Sequence, residues 1–147
     1  MNNNLNPMSY PEEMRKKGKD ANPFFCLMGI EPVSFGDGKA ALSMTTRPDM
    51  LNGVGWLQGG IYFALIDESM ALAICTVLDD DQGIATISAT TDYYKGVGAG
   101  ADLIAEAHIV KRGHKIIFAE GIARLKDSET ILAKTTASFL ITGGSRK

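Results

Sequence analysis

The chain has 147 residues, of which 45% are hydrophobic and 22% are charged, and its formal net charge is −2. This composition is typical of one globular domain and excludes a disordered or fibrous chain. The longest basic run is Arg15-Lys16-Lys17, which is too short for the basic face that non-specific nucleic-acid binding needs. We therefore expect residues 1–147 to form a single domain with no nucleic-acid partner.

The N-terminal sequence MNNNLNPMSYPEE is polar and acidic, whereas a signal peptide begins with a basic and then an apolar region. The longest apolar stretch is shorter than a membrane span and is interrupted by Asp67 and Glu68. Cys26 and Cys75 form no CxxC pair, and we interpret both as buried, reduced thiols. These features predict a cytoplasmic protein that does not associate with membranes.

The N-terminal segment, residues 1–20, is predicted to be a loose tail over residues 1–7 followed by a short polar helix over Met8–Lys19. A further helical turn is predicted over Phe24–Met28. From Gly29 the pattern becomes that of strands, with a turn at Asp37-Gly38. The second strand is predicted over Lys39–Thr46, and a loop rich in Pro, Asp, Asn and Gly follows over residues 47–55.

One strong helix is predicted from Gly60 to about Leu78. Its apolar residues lie all around the helix, so we expect it to be enclosed by other structure rather than laid on a surface. They are Ile61, Phe63, Leu65, Ile66, Met70, Leu72, Ile74 and Val77. The acidic run at residues 79–83 ends the helix.

After the helix, apolar residues alternate with period two, which is typical of strands. The predicted strands cover residues 84–94, 103–109, 117–125 and 131–139, with turns at residues 111–114 and 126–130. Short turns between consecutive strands favour antiparallel hairpins and meanders. One long helix with about five or six antiparallel strands predicts an α+β fold in which a single sheet wraps around the helix.

Several common motifs are absent or lack their structural context. Gly96–Ala101 resembles a dinucleotide-binding loop, but strand-like sequence follows it where a helix is required, so we interpret it as a flexible hairpin turn. The two histidines, His108 and His114, have no third metal ligand at useful spacing. The same scarcity of histidine argues against a Ser-His-Asp or Cys-His mechanism.

Asp67 lies about two turns inside the predicted helix, beyond the first turn where the helix dipole favours a carboxylate. Burying its charge without partners would cost several kcal/mol. A stripe containing Asp67 and Glu68 that faces water explains both residues without any function. Phe63, Ala64 and Met70 are nevertheless apolar neighbours at helical spacing, so from the residues alone both functional and solvated roles remain open.

Gly59-Gly60 precedes the helix, where glycines let a substrate approach the backbone and the first N–H groups have no partner. Such an N–H group at the positive end of a helix can stabilise an oxyanion. Asn52 and Gln58 offer side-chain donors nearby. These parts, with a carboxylate further along the helix, are compatible with hydrolysis of an acyl compound.

The run from Asn52-Gly53 through Gln58-Gly59-Gly60 to Asp67 resembles the signature of hotdog-fold acyl-CoA thioesterases of the phenylacetate-pathway (PaaI-like) type. In that family Asn-Gly is followed by His-Gly-Gly, several apolar residues and Asp, and the spacing is the same here. The resemblance extends from about Phe24 to Ile141.

The resemblance implies a hotdog fold, a homodimer or a homotetramer, and active sites at the dimer interface. It assigns Asp67 as nucleophile or general base and the N–H of Gly59, with Gly60 beside it, as donor to the thioester carbonyl, assisted by Asn52. Thr86 is assigned to orienting water. The implied coenzyme A contacts are Lys111, Arg112, Gly113 and Lys115. No metal or cofactor is implied beyond the coenzyme A of the substrate.

Gln58 departs from the family, because most members have histidine at this position. Glutamine can donate a hydrogen bond but does not titrate near neutral pH. The resemblance therefore predicts a thioesterase acting on a medium-chain or aryl acyl-CoA, and Gln58 leaves open a protein that binds or senses acyl-CoA without cleaving it. A purely structural role for the site would require Asp67 to point into water.

Overall fold

The structure is a computed structural model that describes residues 9–144, so the tail predicted for residues 1–7 lies outside the described part. The helices are α1 (Tyr10–Lys17), α2 (Pro23–Met28) and α3 (Gly59–Cys75), with 3₁₀ turns at Gly18–Ala21 and Pro48–Met50. The strands are β1 (Glu31–Gly36), β2 (Lys39–Thr45), β3 (Gln82–Tyr93), β4 (Asp102–Arg112), β5 (Ile116–Leu125) and β6 (Ile131–Gly143).

The strands form one six-stranded sheet with the order β1-β2-β4-β5-β6-β3, and every neighbouring pair is antiparallel. Helix α3 packs on one face of this sheet and contacts all six strands. The predicted α+β arrangement of a sheet around one long helix is confirmed. Strands β1 and β3 form the two edges of the described sheet.

Small residues on the helix-facing side of the sheet allow α3 to approach closely. The buried ones in the three central strands are Ala105, Ala107, Ala119, Gly121, Ala123, Ala133 and Ala137. The large buried side chains Leu65, Ile66 and Met70 come from the helix. The core therefore combines a bulky helix surface with a sheet surface of methyl groups, at the close packing expected of protein interiors.

The N-terminal helices begin at side-chain caps. The Ser9 hydroxyl accepts the N–H of Glu12 at 3.4 Å, and the Asn22 carboxamide oxygen accepts the N–H of Phe24 at 2.9 Å. Such caps satisfy donors that a helix start leaves unpaired. Met14 and Phe25 are fully buried in the core, so these helices are part of the folded domain.

The prediction of a flexible hairpin turn at Gly96–Ala101 is wrong, because this turn is part of a longer connection over residues 94–101. It joins β3 at the sheet edge to β4 in the sheet interior, so it is a crossover connection. Buried Thr46 anchors it by donating to Gly98 O at 2.7 Å and accepting from Ala101 N at 2.8 Å. Leu57 N also donates to Val97 O at 2.8 Å, which holds the segment against the loop that precedes α3.

The predicted burial of both cysteines is only partly correct. Cys26 is exposed and Cys75 is half-buried, and both are free thiols. Between residues 9 and 144, no helix has both the length and the apolar character needed to span a membrane.

Gly121 is the position at which the close helix–sheet contact is most sensitive to added volume. A Cβ there would lie 2.8 Å from Ile66 Cγ2 and 3.2 Å from Ala107 Cβ. Gly121→Ala should therefore lower the free energy of unfolding by about 1–3 kcal/mol, as overpacking usually does, measured by urea denaturation. Gly98→Ala is the matched control, because its Cβ would meet nothing closer than Gly55 O at 4.0 Å. Equal stability of both variants would contradict this account.

Candidate active site

The start of α3 presents two backbone donors. Gln58 is the N-cap residue, and its exposed side chain makes no capping hydrogen bond. The N–H groups of Gly59 and Gly60 have no backbone acceptor among residues 9–144. The partial positive charge of a helix N-terminus adds to these donors. The arrangement suits a ligand oxygen that carries or develops negative charge.

Two tyrosines form a wall beside these donors. Tyr93, at the end of β3, donates its hydroxyl to Gly59 O at 2.8 Å. Its ring meets the Tyr62 ring edge-on, with 5.7 Å between centroids and 76° between planes. Leu57, Gly59, both tyrosines and residues 94–96 line an open cavity of about 310 Å³.

The loop before α3 is shaped by Asn52. Its side-chain oxygen accepts the N–H groups of Val54 at 3.0 Å and Trp56 at 3.1 Å. The family resemblance predicts that Asn52 assists the donors to the thioester carbonyl. The structure gives its oxygen a local structural role, while its carboxamide nitrogen has no hydrogen-bond partner within residues 9–144.

Asp67 lies on a stripe of α3 that the sheet does not cover. Ala64, Asp67, Glu68, Ala71 and Cys75 are only partly buried, so the expected full enclosure of the helix does not occur within the described chain. The Asp67 carboxylate forms no hydrogen bond or ion pair with another described residue. Burial raises its pKa above the ordinary aspartate value, because desolvation disfavours the charged form.

Glu68 has a hydrogen-bond partner, Asn22, that its neighbours in the sequence do not indicate. The Asn22 carboxamide nitrogen donates to Tyr10 Oη at 2.7 Å and to Glu68 Oε2 at 3.3 Å. Burial and, to a lesser degree, the Asp67 charge raise the pKa of Glu68, and the Asn22 hydrogen bond partly offsets this. Burial also raises the pKa of Tyr10 to about 12 and that of Cys75 to about 11. This polar cluster joins α3 to the N-terminal helices.

Within one chain, the carboxylate and the backbone donors are too far apart to act on the same atom. Asp67 follows Gly59 by eight residues on one straight helix, which places them about 12 Å apart along the axis at 1.5 Å per residue. A reacting carbonyl must lie about 3 Å from its oxyanion donors and within about 3.5 Å of the attacking group. Gly59 and Asp67 of the same chain therefore cannot act on the same carbonyl group.

Thr86 lies on the edge strand β3. It pairs with buried Phe139 of β6, so its side chain shares the helix-facing side of the sheet, and it is exposed. A β-bulge interrupts the pairing between Thr86 and Ser88. Bulges redirect neighbouring side chains on an edge strand.

The predicted coenzyme A residues lie at the other end of the helix. Lys111, Arg112 and Lys115 are exposed around the turn from β4 to β5. Arg112 Nη1 donates to Val77 O at 2.9 Å, just beyond the C-terminus of α3. A Cβ on Gly113 would lie 2.6 Å from Ile116 O, so this turn requires glycine. Within one chain, these cations and Gly59 therefore lie at opposite ends of α3.

The histidines lie away from the start of α3. His108 Nε2 is 3.1 Å from Glu120 Oε1, and the two residues are paired across β4 and β5 on the face of the sheet opposite the helix. Within residues 9–144, no three His, Cys, Asp or Glu side chains are grouped so as to hold a metal ion.

Comparison with known families identifies a match to the thioesterase superfamily over residues 55–132. Among curated proteins, the chain is 33% identical to acyl-coenzyme A thioesterase PaaI of Escherichia coli over 88 residues. That alignment covers 58% of this chain and 59% of the relative, which is less than two thirds of the relative's length. Human acyl-coenzyme A thioesterase 13 is 26% identical over 107 residues, covering 72% of this chain and 76% of the relative.

The fold is also that of solved relatives. The structure of the E. coli PaaI protein from the phenylacetic acid degradation operon superposes with a TM-score of 0.81 over 92% of this chain and 96% of that one. At 21% identity, this similarity supports the hotdog fold alone.

The free-energy cost of partly burying the Asp67 charge should be measurable as a pH-dependent change in thermal stability. An acid whose pKa is raised by folding costs nothing below its unfolded pKa, and the cost develops as the pH rises through the folded pKa. Asp67→Asn, which cannot ionise, should therefore raise the Tm at pH 7, and the gain should shrink toward zero as the pH falls below about 4, near the ordinary aspartate pKa.

Thermal denaturation across this pH range tests the effect, with Asp80→Asn in the exposed loop after α3 as control. A pH-independent change, or a lower Tm at pH 7, would refute the burial of an ionised Asp67.

Proposed function

The chain belongs to the thioesterase superfamily, and we propose that it hydrolyses an acyl-CoA thioester to the free acid and coenzyme A. The observation that carries the proposal is the pair of unpaired N–H groups of Gly59 and Gly60 at a helix start, combined with a half-buried carboxylate on the same helix. The names of the E. coli and human relatives support the same substrate class. We further propose a medium-chain or aryl acyl group.

In the proposed reaction, the thioester carbonyl oxygen accepts hydrogen bonds from Gly59 and Gly60 N–H. These donors stabilise the negative charge that develops when the carbonyl carbon becomes tetrahedral. Asp67 either adds to that carbon itself or takes a proton from a water molecule that adds. The C–S bond then breaks, and the thiolate of coenzyme A leaves and takes up a proton. Where Asp67 itself added, the resulting acyl–Asp67 anhydride is hydrolysed by a water molecule, which releases the free acid and restores the carboxylate. Both routes consume one water overall and need no metal or organic cofactor.

We propose that two chains build each site. Because Gly59 and Asp67 of one chain are about 12 Å apart along the helix, the Asp67 that attacks must come from a second copy. Strand β3 is an edge whose outer hydrogen-bonding groups have no strand partner within the described chain, and an edge of this kind pairs readily with another copy. Twofold pairing of β3 would bring two uncovered α3 stripes toward each other.

The same dimer explains the remaining predicted residues. Thr86 on β3 would lie at the subunit boundary, where its hydroxyl can orient water. Lys111, Arg112 and Lys115, far from Gly59 of their own chain, would approach the site of the other chain. Their charges suit the phosphates of coenzyme A, and Gly113 shapes the turn that presents them. Asn52 and Gln58 would offer side-chain N–H donors near the carbonyl.

A tetramer is a second step of the same proposal. Val110, Phe118 and Leu140 are exposed apolar side chains on or beside the face of the sheet that points away from α3. Burying such a patch between two dimers would be favourable. Because acyl-CoA esters are intracellular metabolites, a cytoplasmic location is also part of the proposal.

Thiol release from a panel of acyl-CoAs tests the activity directly. Asp67→Asn should lower the rate at least ~10²-fold, the usual effect of losing a general base or nucleophile. The wild-type rate should fall on acidification, through a pKa above the ordinary aspartate value, because the reaction needs the ionised carboxylate and burial raises its pKa. Undiminished activity in the variant would remove Asp67 from the mechanism.

Binding without turnover by the wild type would favour an acyl-CoA sensing protein, the alternative that Gln58 supports.

The shared site predicts complementation between two inactive variants. Gly59→Pro deletes the first N–H while suiting the first turn of a helix, and Gln58 already has the extended backbone that precedes proline (φ −60°, ψ 133°). When the Gly59→Pro variant is co-expressed with Asp67→Asn, the two chains should form heterodimers that each contain one intact site. Random assortment should then restore about a quarter of wild-type activity.

Each variant alone should be inactive. If the mixture also shows no recovery although heterodimers form, as judged by two different affinity tags, Gly59 and Asp67 of the same chain must act together and the shared site is wrong.

A further inference from the structure

Tyr93 is hydrogen-bonded to the peptide unit that carries a proposed donor. Its hydroxyl donates to Gly59 O at 2.8 Å, and this carbonyl belongs to the same planar peptide group as the N–H of Gly60. The ring also lies against Gly59, because a Cβ at that position would be 3.4 Å from the Tyr93 ring carbon and hydroxyl. The tyrosine therefore donates to the oxygen of this peptide and packs beside the glycine that precedes its N–H group.

A hydrogen bond to Gly59 O is not needed for the fold. In an α-helix, this carbonyl accepts the N–H four residues later, so it is satisfied without the tyrosine. Tyr93 is also 53% exposed, so its ring contributes little to the core. These observations leave the additional hydrogen bond without a structural explanation.

The position of Tyr93 is itself fixed by its neighbours. Its ring packs edge-on against Tyr62, which is buried and whose hydroxyl accepts the N–H of Val97 at 3.2 Å. Tyr94 N, the next amide along the chain, donates to Leu132 O at 2.8 Å, which anchors the backbone beside Tyr93 to β6. The phenol is therefore held in place before any ligand arrives.

We infer that Tyr93 is a positioning residue for the oxyanion donors, and this inference rests on the proposed thioesterase function. By donating to Gly59 O, the phenol fixes the plane of the Gly59–Gly60 peptide and hence the direction of the Gly60 N–H. It also polarises that peptide, since hydrogen bonds in a chain strengthen one another. The effect is largest when the substrate oxygen becomes negative, so it acts on the chemical step more than on binding.

Tyr93→Phe tests the inference, because it removes the hydroxyl and keeps the ring. We expect kcat to fall about 3- to 10-fold, the effect of one neutral hydrogen bond, with KM nearly unchanged. Tyr94→Phe is the matched comparison, because Tyr94 lines the same cavity and its hydroxyl has no hydrogen-bond partner within residues 9–144. The loss in Tyr93→Phe must exceed that in Tyr94→Phe, and both variants must keep the wild-type Tm.

A spectroscopic measurement separates positioning from a general structural effect. Asp67→Asn should hold an acyl-CoA with a ¹³C-labelled carbonyl long enough for isotope-edited infrared spectroscopy. Polarisation by the donors lowers the carbonyl stretching frequency, and adding Tyr93→Phe should move it back toward the value in water, whereas adding Tyr94→Phe should not.

The outcomes distinguish the two proposals. An active wild type in which both tyrosine variants have equal kcat and equal carbonyl frequencies would overturn the role of Tyr93 and leave the thioesterase intact. A wild type that cleaves no acyl-CoA would overturn the function, and the role of Tyr93 with it.

Discussion

The close approach of α3 to the sheet is the constraint on which the rest of the structure depends. A Cβ at Gly121 would be 2.8 Å from Ile66 Cγ2, and the neighbouring inward positions of β4, β5 and β6 are mostly alanine. A helix with large side chains on its buried side can lie this close only against a surface of small ones. Because the sheet covers one side of the helix, a stripe with Asp67 and Glu68 stays uncovered in the single chain. The two carboxylates on this stripe differ in their hydrogen bonding. Glu68 is hydrogen-bonded to Asn22 of the N-terminal segment, and Asp67 remains without a partner in the described chain.

The elements themselves were largely predictable because they depend on local patterns. The apolar run of α3 and the period-two alternation of the later strands predicted one helix and about six strands, with boundaries within a few residues. The core faces of β4 and β5 followed from the same alternation, since side chains on a strand point to opposite sides in turn. Gly59, Gly60 and Asp67 are site candidates from the sequence because glycine at a helix start and a carboxylate in an apolar helix are unusual.

Pairings between distant segments could not be predicted from one sequence. A glycine-rich segment between two alternating runs looks the same whether or not the flanking strands pair with each other. Residues 96–101 were therefore interpreted as a hairpin turn, whereas β3 pairs with β6, and β4 pairs with β2 and β5. The Asn22–Glu68 contact joins residues far apart in the chain, and neither residue type signals the other. The exposure of Cys26 was missed because its neighbours Phe25 and Met28 are buried on the opposite side of a short helix. Likewise, the local role of the Asn52 oxygen depends on how its own loop folds back, which composition does not indicate.

The anchoring of residues 94–101 by Thr46 also bears on the order in which the molecule folds. The wall beside Gly59 exists only when the end of β2, the loop before α3 and the crossover segment have met, through Thr46 to Gly98 and Leu57 to Val97. These contacts join segments well separated in sequence, and closing such long loops carries an entropic cost before any contact is gained. Contacts of this kind slow folding relative to local ones. Helix α3 can form early in synthesis, but the surroundings of its first N–H groups are complete only when residues 94–101 have been made and have reached Thr46 and Leu57. A nascent chain therefore completes its helix before it completes the surroundings of the helix start, where the proposed site lies.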